Sequence, residues 1–379
     1  MLKIRKKLAE YSEVWFLIYI LITGGMRTIG RGAFDIIWLA GIAFLCLGIK
    51  LIVTDYTKKE IFWMVTFALL VLVNFGINHE KTLFLTMISI YGAKNINLNK
   101  VFLYSLWSRV LLFGGQVLLV CLGIIEGGYM EGMPKYSAIQ GEWENYRIPC
   151  LGFTHPNYAY LSLIMIALLV LLVYKERLKW LHLGIMTIIL FIFYKVLLCR
   201  SGWYIWILTL MIIAVYKMAE RLNLKEIYIK LLCAVPAIMM IFSYLVVILM
   251  ARGNAFAIWV DRCLTGRVRE VIRWCQPYLF RLLANEERTA NEIAYIQLPY
   301  NYGWLLFAIL LTLYMKTMWL MAKRKEDYYV IVFAVISIYF LGEAVPVSVG
   351  WNLSLLLISE VLFQKSVVGD NNVSTRVFD

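Results

Sequence analysis

Proline is scarce in this chain, seven in 379 residues, and no glycine-rich or polar linker occurs. Nor is there a low-complexity tract or an internal repeat of roughly 20–50 residues. These absences exclude separate modules on flexible joints, and residues 1–379 read as a single integral domain. Charge is also sparse, at 16% of residues against 62% hydrophobic, with a mean hydropathy of +0.75. No stretch of useful size could fold as a water-soluble globule. The basic opening MLKIRKKLAE runs into an apolar segment without a small-residue cleavage site. We therefore expect a retained first span, not a cleaved signal peptide. Seven cysteines (Cys46, Cys121, Cys150, Cys199, Cys233, Cys263 and Cys275) lack C-x-x-C spacing, which argues against a metal site or a disulfide framework. Only Cys263 and Cys275 share a loop and could pair. The net charge of +13 does not point to nucleic acid, because the cations cluster between apolar runs.

What the chain does have is apolar runs of roughly 17–23 residues, each able to cross about 30 Å of hydrocarbon. Spans are expected near 12–26, 33–53, 61–77, 80–93, 101–125, 156–174, 180–198, 202–218, 228–250, 300–321, 328–346 and 351–364. The fold class expected is all-α: a polytopic integral membrane protein with about twelve transmembrane helices and one large extracytoplasmic loop, 251–299. With the N-terminus inside, 22 of the 37 Lys and Arg residues fall in cytoplasmic segments or at the cytoplasmic ends of spans, 13 outside, and two (Arg109 and Lys195) deeper within spans. Among lysines only Lys81 and Lys135 fall outside, so the positive-inside rule supports cytoplasmic N- and C-termini. The 251–299 segment breaks that rule selectively. It holds seven arginines (Arg252, Arg262, Arg267, Arg269, Arg273, Arg281 and Arg288) and no lysine. Guanidinium is a planar fork suited to phosphate or carboxylate, so arginine enriched without lysine suggests recognition of an anion. Within it, Val268, Val271, Ile272 and Cys275 recur at i, i+3, i+4 and i+7, predicting an amphipathic helix on the membrane surface that ends by Pro277.

Other polar residues expected on the same face are candidates for chemistry. Arg147 and His155 bracket RIPCLGFTHPN, with Pro156 suited to a first helical position. His155 then sits at the positive end of a helix, either as a cap or beside a bound anion. Arg200, in CRSGW, is pinned in a short turn, which argues against mere snorkelling. Glu343, in GEAVPVSVGWN, is a carboxylate at a membrane mouth, either a functional group or the partner of an arginine. Asn352 begins the last span. No Asp-x-Asp motif or metal cluster is present, and no metal or cofactor is expected.

In order and placement these residues resemble the Wzy-type polysaccharide polymerases of the O-antigen ligase/polymerase superfamily. The resemblance rests on Arg147, Gly152-Phe153-Thr154-His155-Pro156-Asn157, Arg200-Ser201-Gly202, Leu264-Thr265-Gly266-Arg267, Glu292-Ile293-Ala294-Tyr295, Glu343 and Asn352. It covers roughly residues 90–365. Family members usually carry an aspartate-asparagine pair where this chain has Glu292-Ile293, and a Phe-Gly turn where this chain has Leu279-Phe280-Arg281-Leu282-Leu283.

The resemblance implies a bacterial cytoplasmic-membrane enzyme whose site faces outside. Its substrate would be an undecaprenyl-diphosphate-linked oligosaccharide, delivered by a flippase, with chain length set by a regulator protein and membrane lipids all around. Arg200, Arg267 and Arg147 would hold the diphosphate, and Glu343 or His155 would accept the proton of the incoming hydroxyl. Glu292, Tyr295 and Asn352 would support them. One displacement at the anomeric carbon would invert its configuration. A ligase with the same donor, and a flippase or exporter of lipid-linked oligosaccharide, are the competing readings. Against the exporter, few charges fall at mid-span, where transporters bind their cargo.

Overall fold

The computed structural model describes residues 2–30, 36–136, 143–274, 280–289, 291–344 and 347–363. Among these residues seven helices are long and apolar enough to cross a membrane: α4 (Lys58–Asn78), α6 (Leu98–Cys121), α7 (Pro156–Tyr174), α8 (Trp180–Leu197), α9 (Arg200–Arg221), α10 (Lys225–Ala251) and α13 (Ala294–Lys323). Shorter apolar helices complete the bundle: α2 (Ser12–Thr28), α3 (Ile37–Val53), α5 (Thr82–Gly92), α14 (Asp327–Tyr339) and a 3-10 turn at Leu353–Leu357 that runs into α15 (Ile358–Leu362). The N-terminal α1 (Leu2–Glu10) precedes them. Helices are what a nearly continuous apolar sequence must form in hydrocarbon, where each backbone amide needs an internal partner. Helix ends are set by local chemistry. Thr57 and Glu60 form a capping box on α4, and Asn97 caps α6.

Burial orders the bundle. Every residue of α14 except Ile338 is buried, and α7 is buried along most of its length, so these two lie at the centre. In contrast, α4 and α8 present apolar side chains such as Phe62, Trp63, Leu181 and Ile188 on the outside. A soluble protein could not expose so much contiguous apolar surface; hydrocarbon can cover it.

Three expectations need adjustment. At 13 residues, α14 is about 20 Å long, short of a straight crossing. It stops at Tyr339, so Glu343 lies in an irregular turn and not in a span. Protein buries the turn, and Glu343 with it. The last span is likewise short, a 3-10 turn and a single helical turn. Finally, the segment 126–155 contains an antiparallel hairpin, β1 (Tyr129–Tyr136) and β2 (Trp143–Pro149), in an otherwise helical chain.

Within 251–299 two short helices form, α11 (Ala255–Cys263) and α12 (Arg267–Trp274), and α13 starts at Ala294, six residues before the expected span. Val268 and Val271 on α12 pack inward against Val246, Val247 and Val260, while Ile272 is partly exposed. The apolar edge of α12 is therefore covered by protein. Cys275, Pro277 and the proposed Cys263–Cys275 pair lie outside the described residues, as does the C-terminal tail beyond 363.

Candidate functional site

Arg267 is placed by a tight turn. Thr265 and Gly266 both adopt positive φ between α11 and α12, with Gly266 N donating to Asp261 O at 2.8 Å. The buried Asp261 carboxylate accepts the amide of Arg269 at 3.0 Å, satisfying a first-turn N–H of α12. Arg267 thus becomes the first residue of α12 and points into the protein, only 5% exposed. The Leu-Thr-Gly-Arg motif owes its spacing to this turn.

Two carboxylates receive the buried guanidinium. Its Nη2 lies 3.1 Å from Glu343 Oε1, and its Nε donates to Glu292 Oε2. Glu343 is 3% exposed and also lies 3.4 Å from Ser201 Oγ, while Glu292 is partly open. The amide of Ala294, which opens α13, donates to Phe340 O at 2.8 Å, joining the Glu292 segment to the Glu343 turn. Burial pushes the Glu343 carboxyl up to about 7; Arg267 pulls it down and Glu292 pushes it further up. Burial works against the charge of Arg267, but Glu343 and Glu292 together hold it above the usual arginine range. One cation between two carboxylates leaves a net negative charge if all three ionise, so Glu343 is the group that can keep a proton.

A cavity of about 200 Å³ adjoins this cluster. Its wall includes first-turn residues of three helices: Asn157 of α7, Arg200 and Ser201 of α9, and Arg267 of α12. Cations are disfavoured at helix N-termini, where the macrodipole is already positive. Arginine nonetheless opens both α9 and α12; Arg267 is matched by Glu343 and Glu292, so the positive potential that would favour an anion in this space comes from Arg200 and the helix termini. The α9 terminus can approach because Gly202 packs on the Tyr160 ring; a Cβ there would collide with it. Arg267 Nη1 has no hydrogen bond to the described residues and comes within 3.4 Å of where a Gly342 Cβ would sit, on the cavity wall. Tyr339 completes the wall. Its hydroxyl is buried and has no hydrogen-bond partner among the described residues, and it lies within electrostatic reach of Glu343 and Arg267.

The remaining candidates fall elsewhere. Arg147 sits at the irregularity of the hairpin, exposed, pairing with Glu131 at 3.3 Å and stacking 4.3 Å over the Tyr129 ring. It does not line the cavity. His155 is a helix cap whose Nδ1 accepts the Asn157 amide at 3.0 Å. It contacts Tyr158 edge-on, and Tyr158 lies within reach of Glu343, Glu292 and Arg27. Tyr295 is buried and donates to Ser337 O at 2.9 Å, a packing role. Asn352 caps the 3-10 turn through Ser354 N, and its Nδ2 is buried without a partner among the described residues. The turn before it is held by the buried Arg109, whose Nη1 and Nη2 donate to Trp351 O and Gly350 O at 2.8 and 2.6 Å.

Sequence reasoning assigned no role to Ser201 or Tyr339. Ser201 adjoins Arg200, a usable signal. Tyr339 precedes Glu343 by one helical turn, but with 24 tyrosines in the chain that spacing stands out from nothing.

Comparison with known proteins is silent: no family model matches the chain, and neither a curated protein nor a solved structure is detectably similar to it.

Proposed function

We propose that the chain is a glycosyltransferase that joins lipid-diphosphate-linked oligosaccharide units into polymer at the outer side of the bacterial cytoplasmic membrane. One observation carries this reading. Three helix N-termini and two arginines converge on a single cavity, with the buried Arg267–Glu343 pair at its edge. The cavity is smaller than the roughly 300–1,000 Å³ of sites that engulf a whole ligand. Its size suits phosphate groups, with the sugars and the lipid lying outside it. The lysine distribution supports an outward-facing site.

In the proposed step the anomeric carbon loses its bond to the diphosphate oxygen and gains one to the acceptor hydroxyl, with inversion. The hydroxyl proton passes to ionised Glu343, which Arg267 and Ser201 orient. Arg200 and Arg267 Nη1 stabilise the negative charge that develops on the departing lipid diphosphate. Arg267 therefore serves the carboxylate first and the phosphate second, since two arms of its fork are already engaged. His155 holds the α7 terminus, and Arg147 has no part in the step.

The test uses purified protein, a lipid-diphosphate-linked oligosaccharide and no other acceptor. A ladder of products with release of lipid diphosphate is expected, and Arg200→Ala is expected to leave single units. Sugar transfer only to an added foreign acceptor would indicate a ligase. Transbilayer movement in sealed vesicles without new glycosidic bonds would overturn the enzyme reading in favour of a flippase.

A further inference from the structure

A second and larger space lies at another part of the molecule. Helix α4 stands off from the bundle and leaves a lateral groove of about 1070 Å³ between itself and α13, floored by α5 and α15. Trp63, Met64, Phe67 and Leu70 form one flank and Leu310 and Leu313 the other. The outside of α4 is apolar too, with Phe62, Trp63 and Leu69 each more than half exposed. In a membrane the groove is thus open to hydrocarbon, and its occupant must arrive through the bilayer.

The groove has a polar end. Lys59, Glu60, Asp55 and Lys94 gather at the start of α4 and the end of α5, and Lys316 projects from α13. The acids there are already matched: Glu60 pairs with Lys94 at 2.6 Å and Asp55 with Arg5 at 2.6 Å. Lys59 and Lys316 have no carboxylate partner among the described residues, so the polar end keeps two uncompensated cations. Lys316 lies seven residues inside the α13 terminus, from where its long side chain can reach toward a headgroup. From Thr57 to Leu70 the groove runs about 20 Å along α4. That exceeds one leaflet's half of a roughly 30 Å core.

We infer that this groove is a binding site for an anionic glycerophospholipid of the surrounding leaflet, its acyl chains between α4 and α13 and its phosphate between Lys59 and Lys316. The assignment does not depend on the glycosyltransferase reading, because the groove shares no lining residue with the cavity at Arg200 and Arg267.

The experiment is native mass spectrometry of the full-length protein in mild detergent, exchanged against phosphatidylglycerol or phosphatidylcholine. Wild type is expected to retain phosphatidylglycerol preferentially. Lys59→Gln with Lys316→Gln is expected to weaken that retention about twenty-five-fold, at about fivefold per lysine. Both lysines are exposed, so the variant should unfold at the wild-type temperature. Met64→Trp, which fills the groove, should lower retention of both lipids. Equal retention of the two lipids by wild type would overturn the site, as would an unchanged preference in the lysine variant. Undiminished retention in Met64→Trp, or stronger retention of a polyprenyl phosphate than of phosphatidylglycerol, would overturn it too.

Discussion

Arg267 and Glu343 meet in the protein interior with Nη2 and Oε1 3.1 Å apart, while Glu292 takes the same guanidinium at Nε. A lysine at 267 would keep the charge but has no planar fork to serve both carboxylates. Arg267→Lys is therefore expected to abolish long polymer and leave single lipid-linked repeats, read on a gel of extracted glycolipid. Arg267→Met strands a buried carboxylate and should destabilise the protein by about 3–5 kcal/mol. Adding Glu343→Gln should recover much of that loss in thermal unfolding. Full polymer from Arg267→Lys would remove the fork from the mechanism.

Glu343 should also make the protein sensitive to pH. Burial raises its carboxyl from the ordinary 4.5 to about 7. Between those values the folded protein binds more protons than the unfolded chain, so stability is expected to fall as pH rises through that window and to level off above it. The ionised form needed to accept a proton grows over the same range, so activity should rise toward and through pH 7. Glu343→Gln should flatten the stability profile and eliminate the activity. Unfolding temperatures and initial rates across the window check both.

Tyr339→Phe separates structure from chemistry. Its hydroxyl is buried without a partner among the described residues, a state that costs about 1–3 kcal/mol. Removing it without changing the ring should leave stability equal or higher. If the hydroxyl donates to the leaving diphosphate, the turnover rate should fall about 100-fold, as for loss of one preorganised donor. Unchanged turnover would make Tyr339 a packing residue only.

Gly303 should tolerate no side chain. Its φ of 77° and ψ of 158° interrupt α13 in a region of backbone space almost confined to glycine. The break lets Trp304 N and Leu305 N donate to Arg281 O and Leu282 O at 3.0 and 3.2 Å. A Cβ would strike the backbone of Leu282 and Leu283. Gly303→Ala is expected to destabilise by at least about 1–3 kcal/mol, and Gly342→Ala, whose Cβ meets its neighbours at ordinary distance, much less. Expression yield and unfolding temperature distinguish the two.

The site was legible only in pieces. Arg200, Arg267 and Glu343 stand out because charge is rare in this sequence and arginine without lysine is rarer, whereas Glu292 enters only through the family resemblance. The role of Arg267 was not legible, because the carboxylate at 343 is 76 residues away and only folding brings it to the guanidinium. Arg147 was grouped with the other arginines on the strength of a shared face. The hairpin, which apolar periodicity does not signal, instead carries it to Glu131 and Tyr129.

By itself the sequence determined the helical class, the approximate limits of the apolar segments and the start of α7. Each follows from interactions within a few residues: apolar length, and a proline at the first helical position. Tertiary structure alone decided that α14 stops short, that α12 packs inward and that three helix N-termini share one cavity. Those outcomes depend on which distant surfaces exclude lipid from one another, and no local pattern records them.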